Sequence, residues 1–81
     1  MYYVYVLRSE KNKKQYIGFT SKHAEARLKE HNAGCNAFTR NNRPFELIYF
    51  EEHQDKSFAL KREKFFKSGN GRAFLKSIIP L

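Results

Sequence analysis

Eighty-one residues leave room for one small domain. Sixteen Lys and Arg against eight Asp and Glu give a net charge of +8, an excess that favours a polyanion, nucleic acid before anionic membrane. At 41% hydrophobic residues the chain reads as globular, and its one cysteine, Cys35, excludes an internal disulfide and a cysteine-cluster zinc site.

No apolar run approaches the roughly 18 residues that a membrane span needs. The N-terminal MYYVYVL has neither a basic leader nor a small-residue cleavage site, so it does not read as a secretory signal. A reducing, cytoplasmic setting with no membrane association is the expectation. So small a domain buries a modest share of its surface, and eight Phe and five Tyr compensate with large apolar areas.

Residues 2–8, YYVYVLR, are aromatic and β-branched and predict a strand. Tyr3, Tyr5 and Leu7 share one face; Tyr2, Val4 and Val6 share the other. Both faces are apolar, which predicts cover on both sides. A charged connection leads to a second strand, Gln15 to Phe19, and the short link predicts an antiparallel hairpin. Gly18 weakens that strand unless a bulge or a close approach needs it.

A helix is expected from about Lys22 to Asn32, capped by Thr20 or Ser21 and ended by Gly34. Ala24, Leu28 and His31 make a stripe on it, and Arg27 and His31 are neighbours one turn apart. Residues 33–44 read as an Asn-rich loop carrying Arg40 and Arg43 and closed by Pro44. Residues 45–51, FELIYFE, predict a third strand. Asp55 is placed to cap a helix over 56–68, and Asn70 to cap a last one from Arg72 to Ile79 that Pro80 ends. The order is β-β-α-β-α-α.

Three groups of residues stand out chemically. Glu63 lies within the apolar arc of its helix, where a carboxylate is unfavourable unless paired or metal-bound. A salt bridge to Arg62, Arg27 or a lysine, or simple exposure at the edge of the arc, is the plain reading. A single carboxylate ligand for Mg²⁺ is the functional one, since magnesium takes one or two protein carboxylates and completes its shell with water and phosphate. Arg27 and His31 are ordinary on a solvated basic helix, yet a guanidinium fork matches phosphate oxygens and an imidazole can shuttle protons. Tyr3, Tyr5 and Tyr16 suit a strand, and one could act as a base if nearby cations lowered its pKa from about 10.

Taken together, Tyr3-Val4-Tyr5, then Tyr16-Ile17-Gly18, then Arg27 and His31 on one helix and Glu63 on a later one resemble the GIY-YIG nuclease family. The likeness takes in Asn42-Arg43-Pro44 before the third strand, and ALKREK and KSGNGRAFLK look like its small stand-alone bacterial members. Tyr3 stands where the name-giving first glycine would be, and Tyr16 and Arg27 are one residue further apart than in many members.

The resemblance implies that residues 1–81 form one α+β domain, a three-stranded antiparallel sheet flanked by helices. It implies phosphodiester hydrolysis with one divalent ion, Mg²⁺ or Mn²⁺, held by Glu63. Tyr5 and Tyr16 become candidates for general base or orienting group. Arg27 would stabilise charge on the pentacovalent phosphate, His31 would act at the same phosphate, and Gly18 would let backbone approach the site. Lys22, Arg40 and Arg43 are expected to carry the nucleic-acid backbone, DNA in preference to RNA. A role in DNA repair or recombination, a protein partner that supplies specificity, and a monomer or weak dimer are further expectations. The main alternative is a non-catalytic nucleic-acid-binding module on the same scaffold. A protein-interaction domain whose charge confers only solubility is a third.

Overall fold

The computed structural model describes residues 1–79. Its strands are β1 (Tyr2–Ser9), β2 (Gln15–Thr20) and β3 (Phe45–His53), and its helices α1 (Ala24–Asn32), α2 (Ala37–Asn42), α3 (Lys56–Lys67) and α4 (Gly69–Ile78). The sheet is antiparallel with β1 in the centre, order β2-β1-β3.

The alternation in β1 sorts the core into two layers. Val4 and Val6 face Ala59, Phe66, Leu75 and Ile79, so α3 and α4 cover that side. Tyr5 and Leu7 face Ala24 and Phe45, with Leu28 and Phe38 packed beside them, so α1 and α2 cover the other. The central strand is therefore apolar on both faces, as its sequence predicts. Its pairing with β3 slips between Val6 and Leu7, where a bulge lets Ile48 and Tyr49 both pack toward α3 and α4 while Leu47 packs toward α1.

Helix starts differ from expectation in two places. The first helix begins at Ala24, and its cap is His23, whose Nδ1 accepts from the Glu25 amide at 3.2 Å. Thr20 instead closes the preceding turn, its hydroxyl accepting from the Lys22 amide at 3.0 Å. The last helix begins at Gly69 and is capped by Ser68, which accepts from the Gly71 amide at 3.2 Å, so Asn70 falls inside the first turn. The stop expected at Pro80 lies outside the described residues. Asp55 caps α3 as expected, accepting from Ser57 at 3.0 Å, and Gly34 ends α1 with φ of 88°.

The Asn-rich loop holds a further element, α2. Asn36 opens it with a capping box: its side chain accepts from the Thr39 amide at 2.9 Å while Thr39 Oγ1 accepts from the Asn36 amide at 3.4 Å. Six residues are too few to show a helical period in sequence. Asn32 then ties α1 to β3, pairing with both backbone groups of Phe45 at 2.7 and 3.2 Å.

On the other face, Glu51 on β3 binds Arg62 on α3 through two hydrogen bonds, 2.9 and 2.5 Å. The Arg62 guanidinium also lies 4.6 Å over the Phe66 ring. Burial alone would raise the Glu51 carboxyl, but bonds from Arg62, Tyr49 and His53 outweigh it and hold it at about 2.

Candidate active site

Four side chains expected at the site, Tyr5, Tyr16, Arg27 and His31, converge on the α1 face of the sheet, with Gly18 against Tyr5. Gly18 and Tyr5 are cross-strand partners in β2 and β1. A side chain on Gly18 would fall inside the Tyr5 phenol. The close approach that this glycine permits is thus that of an aromatic ring over the strand. Tyr5 is 1% exposed. Its hydroxyl lies 2.8 Å from Nε2 of His31, which is fully buried on α1. Tyr16 flanks the pair, its ring 4.8 Å from His31 and 6.5 Å from Tyr5, and stacks on Phe38 of α2 at 5.7 Å. Tyr16 is half-exposed and so the more open residue of the two.

Arg27 stands one turn before His31 and borders the Tyr5 hydroxyl closely enough for its charge to act on the phenol. It is oriented by Glu30, Nη1 to Oε1 at 2.9 Å, and approaches Cys35 Sγ at 3.6 Å. Burial opposes its charge, but Glu30 and Tyr5 more than offset this, and the guanidinium stays cationic. Cys35 Sγ is also 3.3 Å from His31 Nδ1. Since Arg27 offers only donors, the Tyr5 proton is assigned to His31 Nε2, and His31 keeps its own on Nδ1, facing Cys35.

Two expectations change here. The phosphate was to be met by His31, but this ring lies behind the Tyr5 hydroxyl with both nitrogens engaged. Burial, then the Arg27 charge, pushes it down to about 4, so it is neutral at pH 7. A tyrosine base was to have a lowered pKa. For Tyr5, burial outweighs Arg27 and lifts it to about 12. Tyr5 therefore stays a neutral phenol at pH 7, its hydroxyl held against His31.

Glu63 sits elsewhere. It lies on the stripe between Ala59 and Phe66, on the helix that covers the Val4–Val6 face and overlies β1 and the edge strand β2. Its polar contact among the described residues is Lys67 Nζ at 3.4 Å, and none joins it to Tyr5, Tyr16, Arg27 or His31. The salt bridges that its sequence position suggested go to others: Arg62 binds Glu51 and Arg27 binds Glu30. Of the half-buried carboxylates Glu30, Glu46, Glu51 and Glu63, only Glu63 has no arginine partner among the described residues. No cluster of three metal-ligating side chains occurs among them.

The basic residues flank the four-residue cluster. Arg40 and Arg43 are exposed on α2 and just beyond it. Lys22 is exposed ahead of α1 and pairs with Glu30 at 2.6 Å. Sequence reasoning missed Glu30, Cys35 and Phe38. Glu30 was findable as an oppositely charged residue three positions after Arg27. Cys35 and Phe38 were hidden because the chain reverses at Gly34 before presenting them.

A family model described as the GIY-YIG catalytic domain matches residues 1–76. The chain belongs to the GIY-YIG family. It is also similar to curated relatives named UPF0213 proteins. That of Staphylococcus haemolyticus is 38% identical over 95% of this chain and 93% of its own length. Those of Lactiplantibacillus plantarum and Clostridium perfringens are 46% and 43% identical, over 93% and 83% of this chain and 75% and 71% of their own lengths. No solved structure matches. In this GIY-YIG chain the turn after β2 leads into α1 at Ala24, and Arg27 reaches Tyr5. Among the described residues no helix is long and apolar enough to cross a membrane.

Proposed function

We propose that this GIY-YIG protein is a metal-dependent endonuclease that hydrolyses phosphodiester bonds in nucleic acid, DNA first. The observation that carries the reading is the convergence of Tyr5, Tyr16 and a permanently cationic Arg27 on one face, beside exposed Arg40 and Arg43. Arg27 would bind a non-bridging phosphate oxygen and stabilise the charge that builds there in the transition state. Glu30 holds its fork in place. The Tyr5 hydroxyl, fixed by neutral His31, would orient the phosphate or the attacking water. Tyr16, open to solvent, would take the proton from that water.

Glu63 is the residue that would hold the divalent ion, Mg²⁺ or Mn²⁺. Its carboxylate is a hard oxygen donor, part-exposed and free of the arginine bonds that occupy its counterparts. When bound, such an ion stabilises phosphate charge and lowers the pKa of coordinated water. DNA repair or recombination and a cytoplasmic setting belong to the same reading.

The test is a cleavage panel of single-stranded, duplex and branched DNA and RNA, with and without Mg²⁺ or Mn²⁺. Wild type should nick DNA only with metal. Arg27→Ala should slow cleavage by roughly 100-fold or more, the loss typical of removing a transition-state charge partner. Metal-independent cleavage, or an Arg27→Ala protein as fast as wild type, would refute the assignment.

A further inference from the structure

Next to the Tyr5 cluster lies an aromatic group that the proposed chemistry does not use. Tyr3 points to the same face as Tyr5, two residues along β1. Its ring lies 5.0 Å from His23, the α1 cap, and 6.2 Å from Phe50 on β3; His23 and Phe50 are 5.6 Å apart. The three rings are mutually tilted by 51° to 60° and so present π-faces in different directions. Phe50 is the cross-strand partner of Tyr5, yet it is 38% exposed where Tyr5 is 1%. His23 is exposed and Tyr3 half-exposed. Beyond the N-terminus of α1 the sheet thus carries an uncovered aromatic surface, continuous with the buried one beneath that helix.

We propose that Tyr3, His23 and Phe50 form a stacking platform for an unpaired DNA base beside the scissile phosphate. Aromatic faces bind bases with little regard to sequence, and a basic surface supplies the attraction for the strand. The chain has that charge, +8 overall, with Lys22 next to His23 and Arg27 one turn further along α1. Two strand residues span about 7 Å, close to two stacked-base steps, so a base on Tyr3 would sit a short way from a phosphate at Arg27. Glu52, exposed and paired with Tyr3 in register, borders the opposite side. Its charge keeps phosphates on the α1 side and leaves a carboxylate free to accept from a base amino group. Tyr3 occupies the place where the family motif has glycine, so this ring is an addition to the scaffold. The proposal deepens the nucleic-acid reading and does not depend on catalysis.

Binding of labelled oligothymidylate, and of a duplex of equal length, is measured in EDTA for wild type and for Phe50→Leu, Tyr3→Leu, Tyr3→Phe and His23→Asn. Asparagine keeps a helix-capping oxygen while removing the ring. Phe50→Leu and His23→Asn should each weaken single-strand binding by about tenfold, with duplex binding changed less than about twofold, and Tyr3→Phe should match wild type. Thermal melting identifies any variant that has lost its fold; should Tyr3→Leu be one, the two exposed positions decide. Unchanged single-strand affinity in folded Phe50→Leu and His23→Asn, or equal losses on both substrates, overturns the platform. A protein that stacks unpaired DNA on these rings and cuts nothing keeps the platform and removes the nuclease reading. One that cuts and binds normally without them does the reverse.

Discussion

The Tyr5–His31 pair concentrates the site's chemistry in one buried hydrogen bond, 2.8 Å long. His31 titrates near 6.5 in an unfolded chain but is pushed down to about 4 here, first by burial and then by Arg27. Its stabilising contribution is thus fully present above pH 6.5 and is lost as pH falls through 4. The linkage is worth roughly 3 kcal/mol. Melting temperature should therefore drop between pH 6.5 and 4.5, above the range from about 4.3 down to 2 in which Glu51, held at about 2, adds its own dependence. The His31→Gln protein should show a flatter profile over that interval. An unchanged slope would place the dependence on another group. Tyr5 works in the opposite range. Burial lifts it to about 12, and burial with the Glu51 carboxylate lifts Tyr49 equally, so an alkaline absorbance titration should show two tyrosines ionising about two pH units after an ordinary phenol near 10, and Tyr5→Phe should remove one of the two.

Among the elements, β2 and α2 contribute more than their length suggests. Gly18 makes room for the Tyr5 ring over β2, and Asn36 nucleates the helix whose Phe38 stacks on Tyr16. Gly18→Ala should displace the phenol, break its bond to His31 and destabilise the fold by about 1–3 kcal/mol, the usual cost of overpacking. Asn36→Ala should cost about 1 kcal/mol through removal of the cap. Chemical denaturation measures both; a neutral Gly18→Ala would mean that the sheet can shift without loss. The β1 faces, the hairpin, the Asp55 cap and the Gly34 stop were legible because each depends on local period or on backbone preference. The α2 helix was not, since its six residues sit among turn-forming asparagines. The His23 and Ser68 caps were missed because nearby Thr20, Ser21 and Asn70 have equal or better intrinsic preference, and tertiary packing chose between them.

For the whole molecule, the distribution of charge and the two-layer build matter most. Arg40 and Arg43 are exposed on the layer that carries Arg27, so in the proposed reading they share one electrostatic footprint with it. Replacing both with Gln should lower the slope of log affinity against log salt by about one for each phosphate that is no longer neutralised. An unchanged slope would move the footprint elsewhere. Tyr5, Tyr16, Gly18, Arg27 and His31 could be singled out in the sequence, because a strand pair and one helical turn bring them together, whereas Glu30, Cys35 and Phe38 beside them were missed. What was not legible is that Glu63 belongs to a helix on the other side of the sheet, with no polar contact to that cluster among the described residues. Only the fold reveals that Arg62 is claimed by Glu51, which, with Arg27 held by Glu30, leaves this carboxylate without an arginine among the described residues.

The most direct measurement compares wild type with Glu63→Ala on branched DNA at saturating Mg²⁺ or Mn²⁺, reading binding and single-turnover cleavage in parallel. Cleavage should vanish while affinity stays within about twofold, since removing one carboxylate leaves every phosphate-binding cation in place. Undiminished cleavage by Glu63→Ala would contradict the account.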